Sequence, residues 1–293
     1  MAGTTIQNIL ALPSPVFTLT GFQTRAVGHC DKWERVQMCH VRQWDDFNVS
    51  NISSAFGDLL DQPASVAMGG LCANRGVRNL GEMKNHAIDW LLGILESPLA
   101  AGSRLLSHRL GSASAIDHSR DTTFPGAKHK YESSLIFYLD SSPRIHFVVS
   151  CARLSSQWTS EGLKNQEPAA VIPIRQLATY AKESGTRYSF IMTDKEVVVV
   201  RFIVDSTGQY RAEWQAIPGY ASGEGSLTVG LAVWALIMMS LNEKHRAVTT
   251  EAETLPINLW WREQGVDGRF TYRHHLSGRE LPYLHSGAVH RDS

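Results

Sequence analysis

Little in this chain announces the commoner chemistries that a sequence can carry. Cysteine is scarce: Cys30, Cys39, Cys72 and Cys151 are the four in 293 residues, too few and too scattered for a disulfide scaffold. Cys30 and Cys39 are bracketed by His29 and His40 in HCDKWERVQMCH, but they stand further apart than the short spacing of zinc-ligand pairs, so no metal site is expected there. His274, His275, His285 and His290 lie in a tail without nearby cysteine, and metal binding is not expected there either. Charge of one sign is not in excess, with 28 Lys plus Arg against 28 Asp plus Glu, so no global field draws a polyanion. The most apolar run, LTVGLAVWALIMMSLN at 227–242, is shorter than the ~20 residues that span a bilayer. It reads as a buried helix, with no membrane association. The opening MAGTTIQNILALPSPVF lacks the basic start of a secretory signal, and a cytoplasmic protein is expected. GYASGEGS is glycine-rich but is not followed by Lys-Ser/Thr, so it is a strand-to-helix turn rather than a P-loop. No cofactor motif and no internal repeat is visible, and no cofactor is expected.

What is present is an ordinary globular composition, 43% hydrophobic and 19% charged, with eight Trp and ten Phe to fill a core. Residues 1–70 show no sustained period, being interrupted by Pro13, Pro15, Pro63 and the polar NVSNISS, which predicts an irregular N-terminal arm. Further on, Leu80, Met83, Ala87, Trp90, Leu91 and Ile94 recur at spacings of three and four, one face of an amphipathic helix that Pro98 should end. The polar stretch from Ala101 to Lys128 reads as a long loop. β-Branched and aromatic residues then mark strands at 133–140, 144–154 and the pair within 188–205. Between them IPIRQLATYAKES forms a short helix that Gly185 ends. With no clean linker, a single α/β domain is predicted: an arm at 1–70, a core at 71–245, and a C-terminal extension at 246–293 packed on the core.

Two stretches narrow the class. Gln176-Leu-Ala-Thr-Tyr180 resembles the Q-x-x-x-Y element after the catalytic strand of RecB-like members of the PD-(D/E)XK nuclease superfamily. TRYSFIMTDKEVVVVRF, followed by IPGY and LTVGLAVWALIMM, resembles a pattern in fungal proteins with a restriction-endonuclease-like core, RYGYI-T-D-x-E-L-V-x-x-R. The resemblance spans residues 70 to 245 and implies a PD-(D/E)XK-like central mixed β-sheet flanked by helices. In that group the strand before the Gln helix reads V-V-G-D-T-K. VVSCARLSSQW therefore carries Cys151 where the acid belongs, Arg153 where the lysine belongs, and Trp158 after them. The upstream Pro-Asp corresponds best to Pro125-Gly126.

Nuclease chemistry of this kind needs two carboxylates to hold a hard Mg²⁺ that polarises the phosphate and activates water. Cysteine sulfur is a soft ligand, and arginine stays protonated and cannot take a proton. Phosphodiester cleavage is therefore not expected, and the emptied site has three open uses. The first, expected here, is a cofactor-free enzyme of fungal secondary metabolism. It would cyclise or isomerise a small apolar substrate in a pericyclase-like reaction, through shape, proximity and a few hydrogen bonds. Its catalytic candidates are Cys151, Arg153 and Glu132, and its substrate-binding candidates are Gly126, Gln176, Tyr180 and Trp158. Glu82 is a further acid that the resemblance allows to face the cleft. The second use is an inactive module that binds protein, or nucleic acid through Arg153, Arg175, Arg187 and Arg201. The third is a tRNA-dependent cyclodipeptide synthase with Cys151 as nucleophile.

Overall fold

Strands buried on both faces read as unbroken apolar runs, and such runs lie at the centre of this molecule. The computed structural model describes residues 4–21, 32–66, 74–112, 115–124, 132–265, 268–285 and 287–292. Its first part contains helix α1 (Ile6–Leu10), short strands β1 (Phe17–Leu19) and β2 (Val41–Gln43), helix α2 (Val49–Leu60), strand β3 (Arg75–Val77) and the long helix α3 (Leu80–Leu110). The middle contains strands β4 (Asp117–Thr123), β5 (Glu132–Leu139) and β6 (Ile145–Ala152), helices α4 (Ser160–Lys164) and α5 (Ile172–Ser184), strands β7 (Tyr188–Met192), β8 (Glu196–Val204) and β9 (Tyr210–Pro218), and helix α6 (Val229–Leu241). Strands β10 (Leu259–Gln264), β11 (Phe270–His274), β12 (Glu280–Leu281) and β13 (Val289–Asp292) complete the chain.

Seven strands form one mixed sheet in the order β2-β9-β8-β7-β6-β5-β4. The pairs β6/β7 and β2/β9 are parallel, and the other neighbours are antiparallel. Parallel β6 and β7 need a crossover, which α4, a 3₁₀ turn and α5 supply. Because side chains alternate along a strand, successive residues enter opposite cores. Phe190, Met192 and Val199 meet α1, α2, α3 and α6 on one face. Val149, Cys151, Ile191, Val198 and Val200 meet α5 on the other. The expected α/β class with a mixed sheet flanked by helices is what the chain adopts.

Helix α6 is buried on all sides, as its unbroken apolar sequence requires. Thr228 caps it, accepting from the Leu231 amide at 3.2 Å and donating to the Leu10 carbonyl. Among the described residues no helix is long and apolar enough to cross a membrane. Gly185 ends α5 with φ +69°, a left-handed conformation that glycine adopts without strain.

Four expectations about local structure are corrected. The described part of the N-terminal arm is not irregular: α2 is a full helix capped by Asn48, whose side chain accepts from the Asn51 amide at 3.0 Å. Its Ile52, Phe56 and Leu59 enter the main core, while Val49 packs partly buried against it. Pro98 does not end α3, which runs on to Leu110. Proline removes one hydrogen bond to the preceding turn, but packing against α6 overrides that loss. Trp234 donates to the Pro98 carbonyl at 3.1 Å, and Gly102 leaves room for the same indole. The predicted loop at 101–128 thus contains the last turns of α3 and the solvent-facing edge strand β4. Strand β9 and the four-stranded tail sheet, ordered β12-β11-β10-β13, also went unpredicted.

Candidate functional site

Strand β6 delivers Cys151 and Arg153 toward α5, where Gln176 and Tyr180, four residues apart, share a helix face. The Arg153 guanidinium donates to the Ala152 carbonyl at 2.7 Å and to Gln176 Oε1. Gln176 Nε2 donates to the Tyr180 hydroxyl at 2.5 Å, which donates in turn to the Glu132 carbonyl at 2.7 Å. This hydrogen-bonded line ties β6 through α5 to β5. Burial pushes the Tyr180 phenol up to about 12, against weaker opposing effects of Gln176 and Arg153. Phe124 covers the ring at a centroid distance of 5.5 Å. Arg153 Nε is buried without a hydrogen-bond partner among the described residues.

The sequence candidates therefore divide. Arg153, Gln176 and Tyr180 do come together and bond one another, with Arg153 Nε left unpartnered among the described residues. Cys151 is 1% exposed within the α5-side core, and burial raises its thiol, with Arg153 opposing more weakly. A buried, protonated thiol is not a nucleophile, so the catalytic assignment of Cys151 is corrected to core packing. Glu132 enters the line through its backbone carbonyl, while the residue itself is exposed. Trp158 is buried and donates to the Ala170 carbonyl at 2.9 Å, which fixes the crossover rather than presenting a binding surface. Gly126 and Pro125 lie outside the described residues. Glu82 pairs with Arg78 in the first turn of α3, and that guanidinium holds its carboxyl below the usual range. The arginine groove is corrected too. Arg175 donates to the Val36 carbonyl at 2.9 Å, Arg187 is buried and donates to the His245 carbonyl at 2.6 Å, and Arg201 is locked to Glu213 under Trp44. Among the described residues no group of three or more His, Cys, Asp or Glu side chains is placed to hold a metal ion.

A different site lies where α3, α6 and the tail sheet meet. A cavity of about 830 Å³ is lined there by Asp58, Arg109, Ser112, Lys244, His245, His274, His275, Arg279 and neighbouring residues. That volume is within the range of small-molecule sites, and neither Cys151 nor any of Arg153, Gln176, Tyr180 and Trp158 lines it. A second cavity, of about 580 Å³, lies between α3 and β4 over Leu92, Leu95, Leu99 and Phe137.

In the polar cavity, hydrogen bonding sets the imidazole tautomers. A backbone carbonyl can only accept, so His275 Nε2, 2.7 Å from the Pro256 carbonyl, carries the proton. Its Nδ1 then accepts from His245 Nε2 at 3.3 Å, which leaves the lone pair of His245 on Nδ1. His274 is satisfied at both nitrogens, donating to the Ile257 carbonyl at 2.7 Å and accepting from the Leu276 amide at 3.3 Å. Burial, reinforced by nearby cationic and histidine groups, holds all three imidazoles neutral: His274 falls to about 3, His245 to about 4, and His275 well below its ordinary value. Asn242 Nδ2 fastens the loop through the His275 carbonyl at 2.9 Å. Asp58 is engaged by Arg109 and, at 3.7 Å, by Arg279, and Arg273 pairs with Glu263.

Sequence reasoning missed this site because its parts are far apart in the chain. The one local signal was the pair His274-His275 followed by Ser277-Gly278-Arg279, a polar cluster at a strand end. In comparisons with family models, curated proteins and solved structures, nothing matches this chain.

Proposed function

We propose that this chain is a PD-(D/E)XK-like protein without nuclease chemistry, a fungal biosynthetic enzyme that isomerises or cyclises a small molecule by proton transfer. The observation that carries the reading is the Pro256–His275–His245 line, which leaves a neutral imidazole nitrogen as proton acceptor on a cavity of small-molecule size. The scaffold part of the reading draws on the order of elements: an antiparallel β4-β5-β6 meander, then a helical crossover to parallel β7. Cys151 and Arg153 stand at the end of β6, where a nuclease needs an acid and a lysine.

His245 Nδ1 takes a proton from the substrate, and the His275 lone pair supports the imidazolium through the shared Nε2–H. The negative charge left on the substrate is stabilised by the neighbouring Lys244 ammonium, and the proton returns at another atom of the same molecule. The substrate is polar rather than apolar, because the imidazoles and charged groups of this cavity favour hydrogen-bonding ligands.

The test is incubation with a fungal metabolite extract in D₂O, read by mass spectrometry. Wild type is expected to deuterate or convert at least one component that His245→Gln leaves unchanged. Conversion that survives His245→Gln would overturn the site assignment, and Mg²⁺- or Mn²⁺-dependent cleavage of DNA or RNA would overturn the non-nuclease reading.

A further inference from the structure

We infer that the His245 cavity is built for a small protic anion: an oxyanion, carboxylate or phosphate, that also carries a hydroxyl. The anionic oxygen meets Lys244, and the hydroxyl donates to His245 Nδ1. This inference rests on the small-molecule reading above and names its ligand class.

The hydroxyl requirement follows from the tautomer. His245 Nε2 already donates to His275, so Nδ1 has only a lone pair to offer and selects a ligand that brings a hydrogen. His275 cannot reverse roles, because its own Nε2 faces the Pro256 carbonyl, which has no proton to give. His275 is thus a positioning residue for His245.

The anionic requirement follows from the charges on the walls. Arg109 Nη2 and Arg279 share the single carboxylate of Asp58, and Arg273 pairs with Glu263, while Arg109 Nη1 is buried without a hydrogen-bond partner among the described residues and adds to the positive character of the wall. Lys244 is exposed beside His245, and none of the described ion pairs engages it. Glu243 and Glu280 also line the cavity. Their negative charge disfavours a polyanion such as a nucleic acid strand and suits a ligand with one charged group. Burial is the main cause that keeps His245 neutral, with Arg187 and then Lys244 adding to it, and an anion beside Lys244 offsets that last contribution.

The experiment is histidine side-chain ¹⁵N NMR on the full chain, titrated with glycolate, inorganic phosphate and acetate near neutral pH. The free protein should show His245 as the Nε2–H tautomer. Glycolate and phosphate should shift its Nδ1 resonance saturably, and acetate, which lacks the hydroxyl, should bind about tenfold more weakly. Lys244→Ala, a surface change, should weaken glycolate about tenfold without altering the tautomer. An Nδ1–H tautomer, equal affinity for acetate, or indifference to Lys244→Ala would each overturn the inference. Binding as described with no deuterium incorporation would leave this inference standing and remove the enzymatic reading. Turnover of an uncharged substrate would do the reverse.

Discussion

Acidification from pH 7 to pH 5 should destabilise this fold strongly, because it buries histidines that must stay neutral. His274 and His275 are 1% and 8% exposed, and both are held below the ordinary imidazole value. The unfolded chain takes up protons as the pH drops below about 6.5, whereas the folded chain refuses them until far lower. Stability present above that pH is therefore lost as the pH falls, down to the folded values near 4 for His245 and 3 for His274. A histidine that stays neutral in the fold loses about 2 kcal/mol between pH 7 and pH 5, so the two buried rings together cost about 4 kcal/mol. Half-buried His245 adds less, because solvent screens it. Asp46 works in the opposite direction, since burial raises its carboxyl, but carboxylates titrate below most of this window. Against a typical domain stability of about 5–15 kcal/mol, the loss is large. Urea unfolding followed by tryptophan fluorescence at pH 7, 6 and 5 measures it. An unfolding free energy constant to within about 1 kcal/mol over that range would refute the assignment of neutral, buried rings.

Three further outcomes follow from the core. Tyr180→Phe removes the hydroxyl that joins Gln176 to the Glu132 carbonyl and should cost about 1–3 kcal/mol in denaturant melts, while leaving the His245 NMR signals in place. Cys151→Asp puts a carboxylate where the thiol is almost fully buried; it should lower stability by about 3 kcal/mol or more. Combined with Arg153→Lys, it should still give no Mg²⁺-dependent cleavage in a plasmid assay. Gly102→Ala brings a Cβ to 3.0 Å from the Trp234 ring; it should cost about 1–3 kcal/mol, visible as a lower melting temperature.

Legibility in the sequence followed the range of the interactions. The strands at 133–139, 145–152, 188–192 and 196–204 were readable because burial on both faces makes most of their residues apolar. Helix α5 and its end were readable because glycine at 185 and the apolar spacing are local signals. Helix α3 beyond Pro98 was not, since what carries it through the proline is an indole from α6, more than a hundred residues away in the chain. Strand β4 was not, because its exposed edge position leaves Asp117, His118 and Arg120 without an apolar alternation.

The candidate site divides along the same line. Sequence alone shows a cysteine at 151 and an arginine at 153, and their chemistry makes the first a poor ligand for a hard metal and the second unable to accept a proton. It also brought Gln176 and Tyr180 onto one helix face, four residues apart. Only the tertiary structure decided that these side chains close on one another instead of around a substrate, since that depends on where the Glu132 carbonyl falls on the adjacent strand. Only the tertiary structure brings Arg109, Lys244, His245 and His275 around one cavity, from the ends of two helices and a tail strand. Tautomer and charge are set there by partners distant in the chain, and no short stretch of sequence encodes them.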